Sequence, residues 1–374
     1  MQPSMYRVVA LLLCGSCVYA QASRPPQEIL KEAVTAQQAG NLDQAIQDYR
    51  LLLAKYPNIA EIRSNLGAAL AAQGQYSEAV HEYTRALAIK DNPQVRLNLG
   101  LAYYKTGDLP SAVAALKKVH AQTPTNLQVV TVLADCYLRL GQNKEVISLL
   151  NPVQDNGSGN RAFDYLLGTA LVRDGQTAKG QVVIDRILKN GESAEARLLM
   201  GTTKYMVGDF AGARTDMAKA IELNPKLPDV YAYYGLALLS TGDQAGARKA
   251  FERELTADPN NFDANLRIGV ILRQDEDNDA ALKYLRHALQ IRPGDPGVRY
   301  QIASIEVAQG QLEKARQDLE SLVASSPDFV EAHVSLATVY FREKKKVEGE
   351  RERQIVAKLN AKRRQVNEIA AKAQ

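Results

Sequence analysis

The sequence predicts an all-α solenoid of helix–turn–helix repeats, about nine to ten of them stacked one on the next. Three observations carry this expectation. A turn glycine recurs at Gly40, Gly74, Gly107, Gly141, Gly175, Gly208, Gly242 and Gly310, in steps of 33 or 34 residues once Glu276 is taken as the eighth of nine turns. Each interval holds two amphipathic stretches of about a dozen residues, the length and period of short helices. Small residues recur at one fixed phase of each stretch, as close packing of helices requires.

The chain opens with what reads as a signal peptide over residues 1–22. Arg7 supplies the positive start, Val8 to Ala20 is a short apolar run, and Ala20-Gln21-Ala22 is a small-x-small cleavage site that would leave Ser23 as the mature start. Thirteen apolar residues are too few to span a bilayer. A competing reading places lipid on Cys17, because Leu13-Cys14-Gly15-Ser16-Cys17 loosely resembles a bacterial lipobox that lacks the usual aliphatic residue three places before the cysteine. Later stretches are not apolar for long enough to cross a membrane, so the mature chain is expected to be soluble. With Cys14 and Cys17 in the leader, Cys136 alone remains, and the fold must rest on packing rather than on an internal disulfide.

Nine repeats are expected over residues 23–329. With each turn glycine set at position 15, position 8 reads Ala33, Gly67, Gly100, Ala134, Gly168, Gly201, Gly235, Gly269, Ala303 and Ala337. Glycine inside a helix costs about 0.8–1 kcal/mol relative to alanine. Six glycines at one phase therefore point to close approach of neighbouring helices. Position 20 is nearly always small as well, from Ala45 to Gly349, whereas position 24 is large and apolar from Tyr49 through Leu319. Pro57, Pro124, Pro225, Pro259, Pro293 and Pro327 mark boundaries between repeats, where proline stops one helix or opens the next. Repeat four loses its second-helix pattern after Leu150, and Asp155 to Asn160 reads as a longer loop or a slight hinge. Gly180 and Gly191 make repeat five the softest unit on this reading.

Residues 330–374 differ in kind. Leu336, Ala337 and Tyr340 keep the register of a degenerate tenth repeat, and a capping helix and basic tail follow. Residues 342–374 carry eleven Lys or Arg against five Asp or Glu, with Val347, Ile355, Leu359, Val366 and Ile369 roughly on one helical face. A solenoid needs such a polar-faced end. The sharper reading is that Lys344-Lys345-Lys346 and Lys362-Arg363-Arg364 attract an anionic surface.

This pattern resembles the tetratricopeptide-repeat (TPR) family, with small residues at positions 8 and 20, large ones at 7 and 24, glycine at 15 and proline at 32. The resemblance implies a right-handed superhelix that binds proteins. It also implies that the first helix of each pair lines an inner, concave wall. Positions 2, 5, 9 and 12, sharing one helical face, then supply candidate partner-binding residues: Leu97, Leu101 and Tyr104; Tyr165; Leu198 and Tyr205; Leu236 and Leu239; and Leu266, Tyr300 and Phe341. Lys105, Arg139, Arg173 and Arg273 are placed at the groove edge. A wall rich in Tyr and Leu suits an apolar or amphipathic peptide; the competing reading is packing between adjacent repeats. The family's carboxylate clamp pairs Lys at position 5 with Asn at position 9, and it is absent here. Asn65 and Asn98 stand at position 6 and resemble members of the inner asparagine ladder of TPR-bearing glycosyltransferases, but two residues make no ladder.

Catalytic signatures are missing. His81-Glu82-Tyr83-Thr84-Arg85 begins like a zinc-protease motif but ends in Arg where the second ligand belongs. The histidines are scattered, Cys136 reads as a buried structural thiol, and Gly157-Ser158-Gly159 lacks the strand and third glycine of a dinucleotide site. No catalytic residue, metal, cofactor or small-molecule substrate is expected, and a net charge of +4 is too small to imply nucleic acid. The sequence thus predicts a periplasmic or secreted scaffold that holds a protein or peptide, in an envelope, secretion or polysaccharide-export assembly of a bacterium. The alternatives are a lipid-anchored assembly factor, tethered through Cys17 or the basic tail, and an enzyme with a non-standard site.

Overall fold

The computed structural model describes residues 25–154, 160–189 and 191–372, with side chains through residue 365. The leader with Cys14 and Cys17, residues 155–159 of the expected loop and the side chains of Val366 and Ile369 lie outside the described residues. Among those described, the regular elements are all helical and form ten hairpins. The first four pair α1 (Pro26–Gln38) with α2 (Leu42–Lys55), α3 (Ala60–Ala72) with α4 (Tyr76–Ile89), α5 (Pro93–Thr106) with α6 (Leu109–Gln122), and α7 (Leu127–Arg139) with α8 (Asn143–Leu150). The next three pair α9 (Arg161–Arg173) with α10 (Thr177–Leu188), α11 (Ala194–Met206) with α12 (Phe210–Leu223), and α13 (Val230–Ser240) with α14 (Gln244–Ala257). The last three pair α15 (Phe262–Gln274) with α16 (Asn278–Ile291), α17 (Pro296–Ala308) with α18 (Leu312–Ser325), and α19 (Val330–Arg342) with α20 (Lys346–Lys372). Within each unit consecutive helices pack on one another, from α1 to α6 and from α8 to α20, as a helical solenoid requires. The chain divides into two compact units, Met1–Tyr137 and Leu138–Gln374.

All ten turns take the same left-handed conformation, with glycine φ of 74–85°. A Cβ added at Gly40, Gly74, Gly175 or Gly208 would meet nothing within 4 Å, so glycine serves the backbone conformation there and not the need for room. Glu276 and Lys344 adopt φ of 63° and 62° at the same position without glycine. The turn that the sequence left without a glycine is therefore kept, and so is the tenth. The residue after the turn starts the second helix. Asp108, Asp209, Asp243 and Asp277 each accept the backbone N–H three residues on, which fills one of the orphan donors of a helix start.

Position 8 is small for a different reason. A Cβ on Gly67 would lie 2.8 Å from the Tyr83 ring, on Gly235 2.6 Å from Phe251, and on Gly269 2.7 Å from Leu285. The obstructing atom is the large position-24 side chain of the same hairpin, so the two phases are one device, a knob seated on a bare helix. Gly201 meets both Met217 at 2.9 Å and the Ala213 carbonyl at 3.1 Å. The knobs are fully enclosed, with Tyr49, Phe251, Leu285 and Leu319 all at 0% exposure.

Repeat four departs where the sequence said it would. α8 stops at Leu150 after eight residues and runs into a short 3-10 turn, Asn151–Val153. At the C-terminus α20 has 27 residues, about twice the length of the other second helices. Its Val347 does not join the expected apolar face and is 73% exposed. The reason is register, because Val347 stands at position 18, which is solvent-facing in all ten repeats.

Candidate partner-binding site

The first helices do not treat the candidate inner-wall residues alike. In the first unit, Leu97 on α5 is buried, Leu101 and Tyr104 are half-buried, and Lys105 is exposed. The Tyr104 hydroxyl donates to Asp135 Oδ2 of α7 at 2.5 Å, which fixes the ring while leaving it partly accessible. In the second unit Tyr165 and Leu198 are buried. Tyr205, Leu236, Leu239, Leu266, Arg273 and Tyr300 are half-buried. Tyr205 accepts from Ser240 and meets Phe210 edge-on at 5.2 Å, and Tyr300 meets Phe329 edge-on at 5.5 Å. Phe341 is exposed.

Two arginines placed at the groove edge by sequence lie inside a network of the second unit. Arg139 Nη1 donates to Asp258 Oδ2 at 2.6 Å, 119 residues away. Arg292 Nε donates to the Arg139 carbonyl across 153 residues, and its guanidinium stacks 3.8 Å from the Phe262 ring centroid. Arg173 donates to the Tyr233 hydroxyl and to the Leu138 carbonyl. Burial works against the Arg173 cation, but Tyr233, Asp229 and Asp263 more than offset it and hold its pKa above the ordinary value. Burial pushes the Tyr233 hydroxyl up to about 12 and Tyr165 well above its usual value, with the Asp229 carboxylate adding to both. The structure thus ties repeat four to the junctions after repeats seven and eight.

Sequence reasoning missed the carboxylate at the heart of this unit. Glu254 stands at position 27, where other repeats carry Leu, Ala, Val or Ile, and it is 3% exposed. It accepts backbone N–H groups from Asp229, Tyr231 and Ala232. Asp229 has φ of 64° and its own side chain does not cap α13, so Glu254 does so from the next helix. Desolvation pushes the Glu254 carboxyl up to about 7, Asp229 adds to the rise, and the backbone donors pull against it. A charged residue at an otherwise apolar register position was the visible signal.

Position 4 was missed in the same way. Arg63, Asn265 and His333 each donate to the carbonyl of the preceding repeat's proline, Pro57, Pro259 and Pro327, at 2.8–3.0 Å. Arg63 and His333 also reach an acid at position 23 of their own repeat, Glu82 and Glu352. His333 is therefore a buried structural residue, whereas His81 is exposed. The Tyr49 hydroxyl donates to Gln37 Oε1 at 2.8 Å, and Asn65 and Asn98 draw down the pKa values of the buried Tyr49 and Tyr83, the knobs of the repeat before. Burial pushes the Tyr83 hydroxyl up to about 12 and Asn98 draws it back. Cys136 is fully buried. Among the described residues no group of three or more His, Cys, Asp or Glu is placed to hold a metal ion, and no helix is long and apolar enough to cross a membrane.

Comparison with known proteins agrees with this architecture. Models described as tetratricopeptide repeat match residues 272–336 and residues 30–95, 198–262 and 235–296. A model described as anaphase-promoting complex, cyclosome, subunit 3 matches residues 72–153. The human protein O-mannosyl-transferase TMTC1 is 22% identical over 200 residues, covering 43% of this chain and 23% of that protein. The Vi polysaccharide export protein VexE of Salmonella typhi is 38% identical over 113 residues, covering 28% of this chain and 17% of that protein. The chain spans less than a quarter of the length of either relative.

Proposed function

We propose that this chain, a tetratricopeptide-repeat protein, is an exported scaffold that holds a protein partner on the first-helix face of its repeats. The observation that carries the reading is the contrast within α5. Leu97 is packed away, while Leu101, Tyr104 and Lys105 stay accessible around a tyrosine whose hydroxyl is already anchored to Asp135. A pre-set aromatic ring loses little freedom on binding, which favours it as an anchor. Tyr205 repeats the position-12 placement in the second unit. Arg139 and Arg173 serve that unit's internal network and are left out of the proposed contact face.

The leader supports export, and the similarity to a polysaccharide export protein supports a place in a bacterial envelope assembly. The similarity to an O-mannosyl-transferase covers a fraction of each chain, and TPR arrays typically bind rather than catalyse, so the scaffold reading takes precedence over an enzymatic one. Intact mass of the protein purified from its native envelope separates the export routes: a start at Ser23 supports ordinary cleavage, and lipid on Cys17 supports a tether. For binding, Tyr104→Ala with Tyr205→Ala should weaken capture of a crosslinked envelope partner about tenfold or more. The outer-face pair Gln47→Ala with Arg248→Ala should leave it intact. Loss of binding in the outer pair with none in the tyrosine pair would move the site off the first-helix face.

A further inference from the structure

Inside the array, the groove between the two helices of a hairpin is closed by the first helix of the next repeat. At repeat nine, Ala303, Leu319 and Leu322 are covered by Ala332, Leu336 and Val339 of α19, a stripe at i, i+4 and i+7. Through the first nine repeats, position 24, from Tyr49 to Leu319, is at most 2% exposed. Position 27, from Leu52 to Leu322, is at most 7% exposed.

At the tenth repeat the same groove is open. Val334, Ala337 and Phe341 of α19 face Arg353 and Val356 of α20 across a cavity of about 500 Å³. Val334 is 48% and Phe341 38% exposed. Position 24, apolar in nine repeats, is here Arg353, whose side chain is 66% exposed and reaches Glu350 at 3.5 Å, long for an ion pair. From Arg353 to Arg364 the helix carries five Lys or Arg and no Asp or Glu. Arg353 and Arg364 are eleven residues apart, about three helical turns, and so share one edge of the groove.

We propose that this open end docks an amphipathic helix of a partner protein, apolar along an i, i+4, i+7 stripe and acidic on the edge that meets Arg353 and the basic stretch to Arg364. Continuity with the stacking interface argues for a helix, because the tenth hairpin presents the groove that, at repeat nine, the next first helix fills. The change from apolar knob to arginine argues for acid, because the array's own first helices meet an apolar residue there. A second copy docked tail to tail would oppose two basic edges. A membrane surface takes up a helix by an apolar face lying in the interface plane, whereas these apolar residues line a concavity between two helices.

Two synthetic helical peptides test this on the full chain. Both carry the same leucine stripe at i, i+4 and i+7; one is flanked by glutamate and the other by lysine. The acidic peptide should bind about tenfold tighter or more than the basic one and weaken as salt rises. Arg353→Glu with Arg364→Glu, the two on one edge, should invert the preference. Val334→Asp should abolish binding of both peptides with melting unchanged. If Val334→Asp lowers the melting temperature, the exposed Arg353→Glu variant alone supplies the reading through its loss of charge preference. Equal binding of the two peptides, or binding indifferent to both substitutions, overturns the proposal. So does binding to phosphatidylglycerol vesicles without binding to the acidic peptide, which would assign the surface to membrane. Self-association of the chain that Val334→Asp abolishes would assign it to a second copy and overturn the proposal as well.

Discussion

The two units use the same 34-residue rhythm but close their polar groups differently. In the first, side-chain ties stay within a repeat or join neighbours: Tyr49 to Gln37, Arg63 to Pro57 and Glu82, and Tyr104 to Asp135. In the second, Arg139, Arg173 and Arg292 reach across 119, 60 and 153 residues. A solenoid whose repeats touch only their neighbours gains stability by addition, one interface at a time. Ties that skip repeats convert part of that sum into one cooperative unit. The comparison teaches that a regular repeat does not ensure a uniform array.

The largest test breaks the long-range network. Arg173→Met should cost about 3 kcal/mol or more, because it removes the cation bonded to Tyr233 and leaves Arg292 alone to balance Asp229 and Asp263. Amide exchange should accelerate in residues 138–374 and stay unchanged in α1 to α6. Equal acceleration in both units would show that they do not differ in cooperativity.

Glu254 gives the next effect, and its sign is fixed by the direction of the shift. Its folded pKa of about 7 lies above the ordinary carboxylate value, so the folded state binds the proton more tightly than the unfolded chain. This contribution to stability is present at low pH and is lost as pH rises from about 4.5 to 7, with a ceiling of about 3 kcal/mol. The difference in denaturation midpoint between the wild type and Glu254→Gln should therefore change across pH 5 to 8 in the sense of relative wild-type loss. A flat difference would place the carboxyl in a better-solvated setting than its burial indicates.

Gly201→Leu probes the feature that the units share. A side chain there must displace Met217 and approach the Ala213 carbonyl, at a cost of about 1–3 kcal/mol in denaturant midpoint. An unchanged midpoint would contradict the pairing of position 8 with position 24. The smallest effect belongs to the first unit. Tyr49→Phe removes the hydroxyl that donates to Gln37 and should cost about 1 kcal/mol in thermal or chemical denaturation. A cost as large as that of Arg173→Met would erase the distinction between local and long-range ties.

Much of the fold was legible because its determinants are local and repeated. The left-handed turn recurs in all ten hairpins and a large apolar residue at position 24 in the first nine, so the pattern survives at Glu276 and Lys344, where single residues depart from it. The early end of α8 was visible in Asn151-Pro152 for the same reason. The candidate site was legible only as a set of register positions. Tyr104 and Tyr165 share the first-helix face by sequence, yet one is half-buried and the other packed away. Arg139 and Arg173 read as edge cations until Asp258 and Tyr233 are seen beside them.

By itself the sequence determined a TPR array, the lengths of its helices, the conformation of its turns and the residues that interlock within each hairpin. All of these are set within one period of about 34 residues, where spacing dictates contact. Only the tertiary structure decided which polar side chains are shared across repeats, that Glu254 caps a neighbouring helix, and that the tenth groove stands open beside Arg353. The shared side chains depend on how successive hairpins bring distant repeats together, and a partner chosen two to four repeats away leaves no periodic trace in the chain, while the cap and the open groove depend on single residues that break the period.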